Sequence, residues 1–586
     1  MRTRWTAVLI LLAAAACQGR EISNLQARHV AGQTFLTWDE KELEPKDRLA
    51  VYKHDEPITV GNLDRAVVLC RDLMPGTSCD FSDLRREKYR RFGPLPKEKV
   101  RGAVVPWDAG KDDGGKPVPH RIAAYNGLYV HSPAAAGKAC YAVVVCDDDG
   151  KPKTPVAPGA SSLTEPVVET TTDFPKPIMV FDTWKSTPES PEKCRMYVLT
   201  AAIGIFQNDK KAMADLKKYN KTGRHYILYG KKEHGWREGL PFHFSIYGEG
   251  AAFTLFPDDS NFAFMGFDNA WWFGVNDNIT RPDELADGLV RLTHQARLLG
   301  LIDWACRTYR VDRGTISGGG SSMGGTGALL FILRHPDVFN RVGMGVPAVN
   351  LPELPNVRNL AAIIWGPMDK PVRCAEGGTV WEALNATKYL KEHPAVLPFM
   401  RITHGRKDKW MRWEPNPAFY DLLTEQGQPC VVLWDGSGHS GAKAPEFREA
   451  VRKLPRLRKD EPFLAFAGGS RNGDYGDGGV EDGDITGTLN LGYWFDNLAE
   501  TKTKVTAEYW FERLGETDGG TVDILPYRLQ KFPHARGDVA AYRILDGGKV
   551  VAEGRVTASA RGLFRIPSAP CDKRYTFELT PAASDK

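Results

Sequence analysis

The residues Gly320-Ser321-Ser322-Met323-Gly324 set a serine between closely spaced glycines. Before them, Gly314 to Ser317 is short and β-prone. Gly318-Gly319-Gly320 lets the backbone turn sharply, because glycine accepts φ > 0 at little cost. After them, Met323 to Arg334 has the composition of a helix, and His335-Pro336 stops it. Strand, sharp turn and helix with a serine at the apex make the pattern G-x-S-x-G of a nucleophile elbow. A hydroxyl standing clear of a sheet can attack a carbonyl. The helix N-terminus aims backbone N–H groups at the oxygen that becomes negative. In a chain with 58 glycines the same letters also fit an ordinary Gly-rich loop, so the rest of the chain has to decide.

The stretch VDRGTISGGGSSMGGTGALLFILRHPDVFNRV resembles the elbow region of the α/β-hydrolase superfamily. It is most similar to the secreted bacterial branch of feruloyl-esterase-like, polyhydroxyalkanoate-depolymerase-like and prolyl-oligopeptidase-like enzymes. The resemblance implies a nucleophilic serine followed in chain order by an acid and a histidine. Leu397 to Asp408 (LPFMRITHGRKD) resembles the family's penultimate strand, whose H-G-x-x-D carries the acid. Past a helical stretch, Pro417 to Gln426, the run CVVLWDGSGHSG presents His439 as the family's G-x-x-H loop does. The implied roles are Ser322 as nucleophile, His439 as general base and Asp408 as its orienter. Glu414 and Asp435 stand as alternatives for the acid. One oxyanion donor is implied at the N–H of Met323. The other falls in Gly248-Glu249-Gly250, after the strand-like Phe242 to Tyr247, where the family has H-G-G-G; Glu249 and Gly250 both qualify. Glu249 could also reach the pocket, or be a salt-bridged loop carboxylate.

The elements that must position these groups follow in chain order. Residues 1–16 carry Arg2 and Arg4 and then the apolar run Ala7 to Ala16, which is too short to span a bilayer and reads as a signal peptide. Ala15-Ala16-Cys17 also resembles a bacterial lipobox, which would anchor Cys17 through lipid. No later run is long and apolar enough for a membrane helix. Residues 21–168 read as a β domain: Leu25-x-Ala27 and Thr34 to Trp38 resemble the first two strands of a fibronectin type III module, with Trp38 as its core tryptophan. Arg48 to Tyr52 and Lys138 to Val145 fit later strands, and Arg85 to His120 reads as a long insertion. Lys151 to Pro175 is a Pro-, Thr- and Ser-rich linker.

The expected catalytic domain is 177–457, a doubly wound, mostly parallel α/β-hydrolase sheet flanked by N- and C-terminal β-sandwich-like domains. Ile178 to Phe181, Met196 to Thr200 and Tyr226 to Tyr229 are its first short strands, and Ala286 to Arg310 supplies a helix under the elbow. Trp271, Trp272, Trp410 and Trp413 either pack the core or line the substrate pocket. Residues 458–586 form the second β domain; Val505 to Tyr509 alternates, and parts of Val539 to Leu545 and Val550 to Val556 are strand-like. Asp474, Asp477, Asp482 and Asp484 crowd a Gly-rich loop that either holds Ca²⁺ or is an ordinary acidic turn.

Composition bounds the rest. The chain has 586 residues, enough for about three domains. With 42% hydrophobic and 26% charged residues it fits a soluble globular protein. A net charge of +4 with no basic stripe gives no case for nucleic acid. Ten cysteines without a C-x-x-C pair make neither a zinc site nor a disulfide scaffold. Cys70 and Cys79 could meet across a hairpin, while Cys140 and Cys146 share one strand and sit too far apart to pair. The function expected is an exported serine hydrolase cleaving carboxylic esters of an acylated polysaccharide or polyester. A prolyl-oligopeptidase-type peptidase and a catalytically dead binding protein are the alternatives. No organic cofactor or metal is called for, and the membrane enters only through a lipid anchor at Cys17.

Overall fold

The computed structural model describes, with short breaks, residues 19–78, 104–171 and 271–582; of 444–456 only Leu454 is described. Between 172 and 270 it describes the backbone of five strand segments. The signal segment, Cys17, Cys79, Glu249 and Gly250 lie outside the described residues.

Ten strands build the central sheet: β1 (Ile178–Thr187), β2 (Ser190–Ala201), β3 (Arg224–Lys231), β4 (Phe242–Ser245), β5 (Phe253–Pro257), β6 (Ser317–Ser321), β7 (Arg341–Gly345), β8 (Phe399–Gly405), β9 (Cys430–Asp435) and β10 (Gly487–Leu489). Their spatial order is 1-2-3-5-4-6-7-8-9-10. From β5 through β9 every pairing is parallel, whereas β1 to β3 and the β9–β10 edge pair antiparallel. This mixed sheet keeps the mostly parallel core expected from the sequence and adds antiparallel strands at both edges. Parallel neighbours need crossovers, and α1 (Met323–Arg334), α2 (Pro355–Trp365) and α3 (Asn416–Glu425) lie between them. β9 (CVVLWD) is buried at every position, as befits a strand covered on both faces. Helix α1 buries Met323 to Leu333 and packs with Trp272, Phe339, Met400 and Trp434 in one core; a helix apolar all round belongs inside.

The order 5-4-6 has a functional consequence. The chain winds one way from β4 to β5 and returns to the other side of β4 at β6, which makes a switch point between β4 and β6. In such sheets the crevice opens beyond the carboxyl ends of the strands at that point. Because β6, β8 and β9 are parallel, the loops that follow Ser321, Gly405 and Asp435 emerge at the same sheet edge.

The region before the sheet forms two small sheets. Glu21–Val30, Gln33–Lys41 and Gly127–His131 make one; Val67–Leu73, Arg48–His54, Gly137–Cys146 and Val167–Glu169 make the other, in that spatial order. They share a core in which Trp38 is 1% exposed. Part of the expected insertion is structured: Val104–Lys111 pairs with Pro117–Arg121, and Val105 and Trp107 pack against Phe35. Cys140 and Cys146 lie buried along one strand.

After the central sheet, a three-stranded antiparallel sheet (Phe463–Ala467, Thr521–Tyr527, Ile566–Pro570) and a five-stranded one (Tyr493–Glu500, Val505–Phe511, Tyr575–Pro581, Val539–Asp546, Lys549–Thr557) share a second core. Between the first strand of each, the chain returns to the central sheet and adds β10 at its edge.

The expected helix Ala286 to Arg310 is corrected in part. Pro282–Asp287 is a 3-10 turn, and Leu289–Arg291 is a strand that pairs with Val275–Asn276 and Arg373–Cys374. Apolar Leu289 and Val290 serve a strand as readily as a helix, and tertiary pairing decides. Helix begins only beyond them, where Gln295, Leu298, Ile302 and Cys306 are helical and buried.

Candidate active site

Ser322 stands between the end of β6 and the first turn of α1, with φ 57° and ψ −120°. This conformation is costly for a residue with a side chain and persists only where its surroundings dictate it. Here they do. The Ser322 N–H donates to the Gly345 carbonyl at 2.7 Å, and the Ser322 carbonyl accepts from the Thr326 N–H at 2.9 Å. The turn is tight enough that a Cβ on Gly320 would lie 2.5 Å from the Gly324 backbone, and one on Gly325 would lie 2.6 Å from the Gly345 oxygen. The glycines flanking the serine are therefore fixed by close approach. The Met323 N–H, in the first turn of α1, has no intrahelical acceptor and faces the same end of the helix as Ser322.

His439 lies in the loop after β9. Its Nε2 is 2.8 Å from the Ser322 Oγ, and its Nδ1 is 2.9 Å from Asp408 Oδ2 and 3.1 Å from Oδ1. Asp408 follows β8, and its side chain is wholly buried. Burial alone would raise its pKa; hydrogen bonds from His439 and from the N–H groups of Trp410 (2.8 Å) and Met411 (3.0 Å) outweigh it and hold the carboxyl below its usual range. An anionic Asp408 accepting from Nδ1–H leaves Nε2 free to accept from the serine hydroxyl.

The alternative acids serve elsewhere. Asp435 accepts from the N–H groups of Ser437 (2.9 Å) and Lys443 (2.6 Å), closing the loop that carries His439. Glu414 pairs with Arg412.

Sequence reading passed over two residues beside this chain of hydrogen bonds. His404, at the end of β8, is fully buried between Tyr420 and Pro347. Its Nε2–H donates to the Pro347 carbonyl at 2.9 Å, and its Nδ1 accepts from the Tyr420 hydroxyl at 2.5 Å. Burial pulls its pKa down to about 4, so it stays neutral and props the strand end. Its place in His404-Gly405, just ahead of Asp408, was the available signal. Arg406 is the other: a buried cation two residues before Asp408, 1% exposed.

The four tryptophans separate. Trp271, Trp272 and Trp413 are at most 2% exposed, which corrects the pocket-lining expectation for them: they pack the core around the elbow. Trp272 meets Phe331 of α1 edge-on at 6.5 Å. Trp410 is 51% exposed and sits on the acid loop between Lys409 and buried Met411. Beside that loop is a cleft of about 620 Å³ lined by Pro355, Lys407, Lys409, Arg412 and Glu481.

The acidic loop closes around a side-chain cation, Arg406. The carbonyls of Gly479, Val480, Asp482 and Asp484 all accept from the Arg406 guanidinium. The carboxylates of Asp474, Asp482 and Asp484 are turned to backbone N–H groups of the same loop. Among the described residues no group of His, Cys, Asp or Glu is arranged to hold a metal ion, and no helix is long and apolar enough to cross a membrane.

Comparison with known proteins adds the following. Residues 268–431 match the family model Esterase, described as "Putative esterase". The match spans the elbow and Asp408 and ends before His439. No curated protein matches the chain. Among solved structures it is similar to an S-formylglutathione hydrolase from Agrobacterium tumefaciens, at 13% identity over 45% of this chain and 92% of that one, with a TM-score of 0.31. A "putative dipeptidyl aminopeptidase IV" from Bacteroides ovatus matches at 13% identity over 74% of this chain and 66% of that one, with a TM-score of 0.32. An esterase from Thermogutta terrifontis matches at 14% over 40% of this chain and 85% of that one, with a TM-score of 0.25.

Proposed function

We propose that the chain is an exported serine hydrolase that cleaves carboxylic esters through Ser322, His439 and Asp408. The observation that carries this reading is the unbroken relay from the Asp408 carboxylate through both ring nitrogens of His439 to the Oγ of a serine on a strained strand-to-helix turn. His439 takes the hydroxyl proton as Oγ attacks the ester carbonyl. The tetrahedral oxyanion forms beside the Met323 N–H, with the N–H of Glu249 or Gly250 as its second donor. His439 then protonates the departing alkoxide, leaving an acyl group on Ser322. Water, activated by the same imidazole, releases the acid. Asp408 holds the ring and stabilises the imidazolium.

The substrate class is an acylated polysaccharide or a polyester. Exposed Trp410 and the open cleft beside it support a ring-bearing or chain-like substrate that extends past the reacting carbonyl. Export through residues 1–16, with or without a lipid anchor at Cys17, suits a substrate outside the cell. The segment 21–168 is proposed as a fibronectin type III-like module that spaces or binds. Its sheets of three and four strands around Trp38 support that assignment. The residues from 458 on are proposed as a second β-sandwich with a similar task.

Hydrolysis of p-nitrophenyl acetate, p-nitrophenyl butyrate, methyl ferulate and a prolyl p-nitroanilide, by wild type and by Ser322→Ala, tests the reading. Ester turnover that vanishes in the variant, with no anilide cleavage, is expected. Anilide cleavage would place the protein among peptidases instead, and silence on all four would favour a binding role.

A further inference from the structure

We infer that Arg406 is a positioning residue for the Asp408–His439 pair, and that it acts through the loop 474–484 contributed by the C-terminal part of the chain. The proposal rests on the hydrolase reading above. Arg406 is separated from its acceptors by 73 to 78 residues. Its Nε donates to the Val480 carbonyl at 3.0 Å, its Nη1 to Asp484 at 2.8 Å, and its Nη2 to Gly479 at 2.7 Å and to Asp482. The guanidinium lies over the Trp413 ring, 4.7 Å from its centroid. A planar fork of five donors suits this cage, and a lysine could satisfy only part of it.

The cage bears on both members of the pair. The Arg406 backbone N–H donates to the Asp435 carbonyl at 2.8 Å, and the Lys407 N–H to the Ser437 carbonyl at 3.0 Å, so the acid loop is stitched to the loop of His439. The Asp484 carbonyl that receives Arg406 also receives the indole N–H of Trp434, on β9, at 2.8 Å. One C-terminal loop thus ties the end of β8, which leads to Asp408, to the strand that leads to His439. Of the charged and titratable groups around the pair, Asp408 faces His439 directly. Asp435 is spent on backbone amides, and His404 stands behind Asp408 as a neutral ring.

Releasing the cage lets Asp408 drift from Nδ1 without removing any group that touches substrate. The imidazole then loses its fixed orientation toward the Ser322 hydroxyl, so turnover falls while substrate binding is kept. We would measure kcat and KM on p-nitrophenyl acetate, and the melting temperature, with the full chain. The variants are Arg406→Lys and the double variant Asp482→Ala/Asp484→Ala, whose exposed carboxylates brace the loop. Expected is a fall in kcat of about tenfold for Arg406→Lys, and a fall in the double variant too, with KM within about twofold in both. The double variant keeps the test open if Arg406→Lys fails to fold. A lower melting temperature with kcat at its wild-type value would reduce Arg406 to a structural role and overturn the proposal. Ester turnover that survives Ser322→Ala would remove the hydrolase reading and the proposal with it.

Discussion

Asp408 and His439 meet at 2.9 Å with the carboxylate out of contact with solvent, and that geometry makes charge rather than shape the quantity to remove. Asp408→Asn keeps the volume and the bonds from the Trp410 and Met411 amides but inverts the tautomer demanded of His439. A loss of ~10³–10⁴ in kcat with little change in KM is expected from steady-state kinetics on a small ester. His404 makes a separate prediction about stability. Its pKa in the folded chain is about 4, below the ~6.5 of an unfolded histidine. For a depressed group the stabilising contribution is complete above the unfolded value and is lost as pH falls from there towards the folded value. Stability should therefore fall by roughly 1.4 kcal/mol per pH unit from this group between pH 6.5 and 4. His404→Gln should flatten that part of the melting-temperature curve, and an unchanged slope would show that the histidine does not carry it. Ser322, Asp408 and His439 were legible in the sequence because each follows a β-like run in a fixed chain order. His404 showed only as the first letter of H-G-x-x-D, with no role attached, and Arg406 not at all, because an arginine met by carbonyls shows no pattern of residue types.

Strand, turn and helix impose their own requirement at the elbow. A methyl group on Gly320 or Gly325 would run into backbone at 2.5 and 2.6 Å, and backbone cannot swing aside as a side chain can. Gly325→Ala is expected to cost at least ~2 kcal/mol of stability, measured by denaturant unfolding, and to lower activity as Ser322 loses its Gly345 tether. A neutral substitution would mean that the turn is looser than its contacts require. The elbow, β8, β9 and α3 were readable from apolar runs and their stop signals. Leu289–Arg291 was not, because three residues of strand carry no period and depend on partners at Val275 and Arg373. The Asp-rich loop 474–484 read as a calcium loop or an ordinary acidic turn, and its carbonyls rather than its carboxylates receive Arg406. Its sequence could not say that the cation is a side chain 73 residues or more away.

Across the whole molecule, the central sheet and the units around it are not laid end to end. β10 arises after Phe463–Ala467, the first strand of the C-terminal sheets, yet it completes the edge of the central sheet beside β9. Arg561 and Arg565 reach back to the carbonyls of Ala395 and Glu425, and Arg528 to that of Asn340. With a shared sheet edge and a buried arginine cage joining them, the central sheet and the C-terminal sheets should unfold in one calorimetric transition. A separate transition assignable to the C-terminal sheets alone would contradict that coupling. The interleaving was not legible in the sequence because β10 is only three residues long.

The central claim is that Ser322 is the nucleophile, and covalent trapping tests it most directly. Incubating the full chain with diethyl p-nitrophenyl phosphate and mapping the adduct by peptide mass spectrometry should place one diethylphosphoryl group on Ser322. Ester hydrolysis should fall in proportion to the fraction labelled, and Ser322→Ala should take up none. An adduct on another residue that abolishes activity, or full activity in a protein labelled at Ser322, would contradict the account.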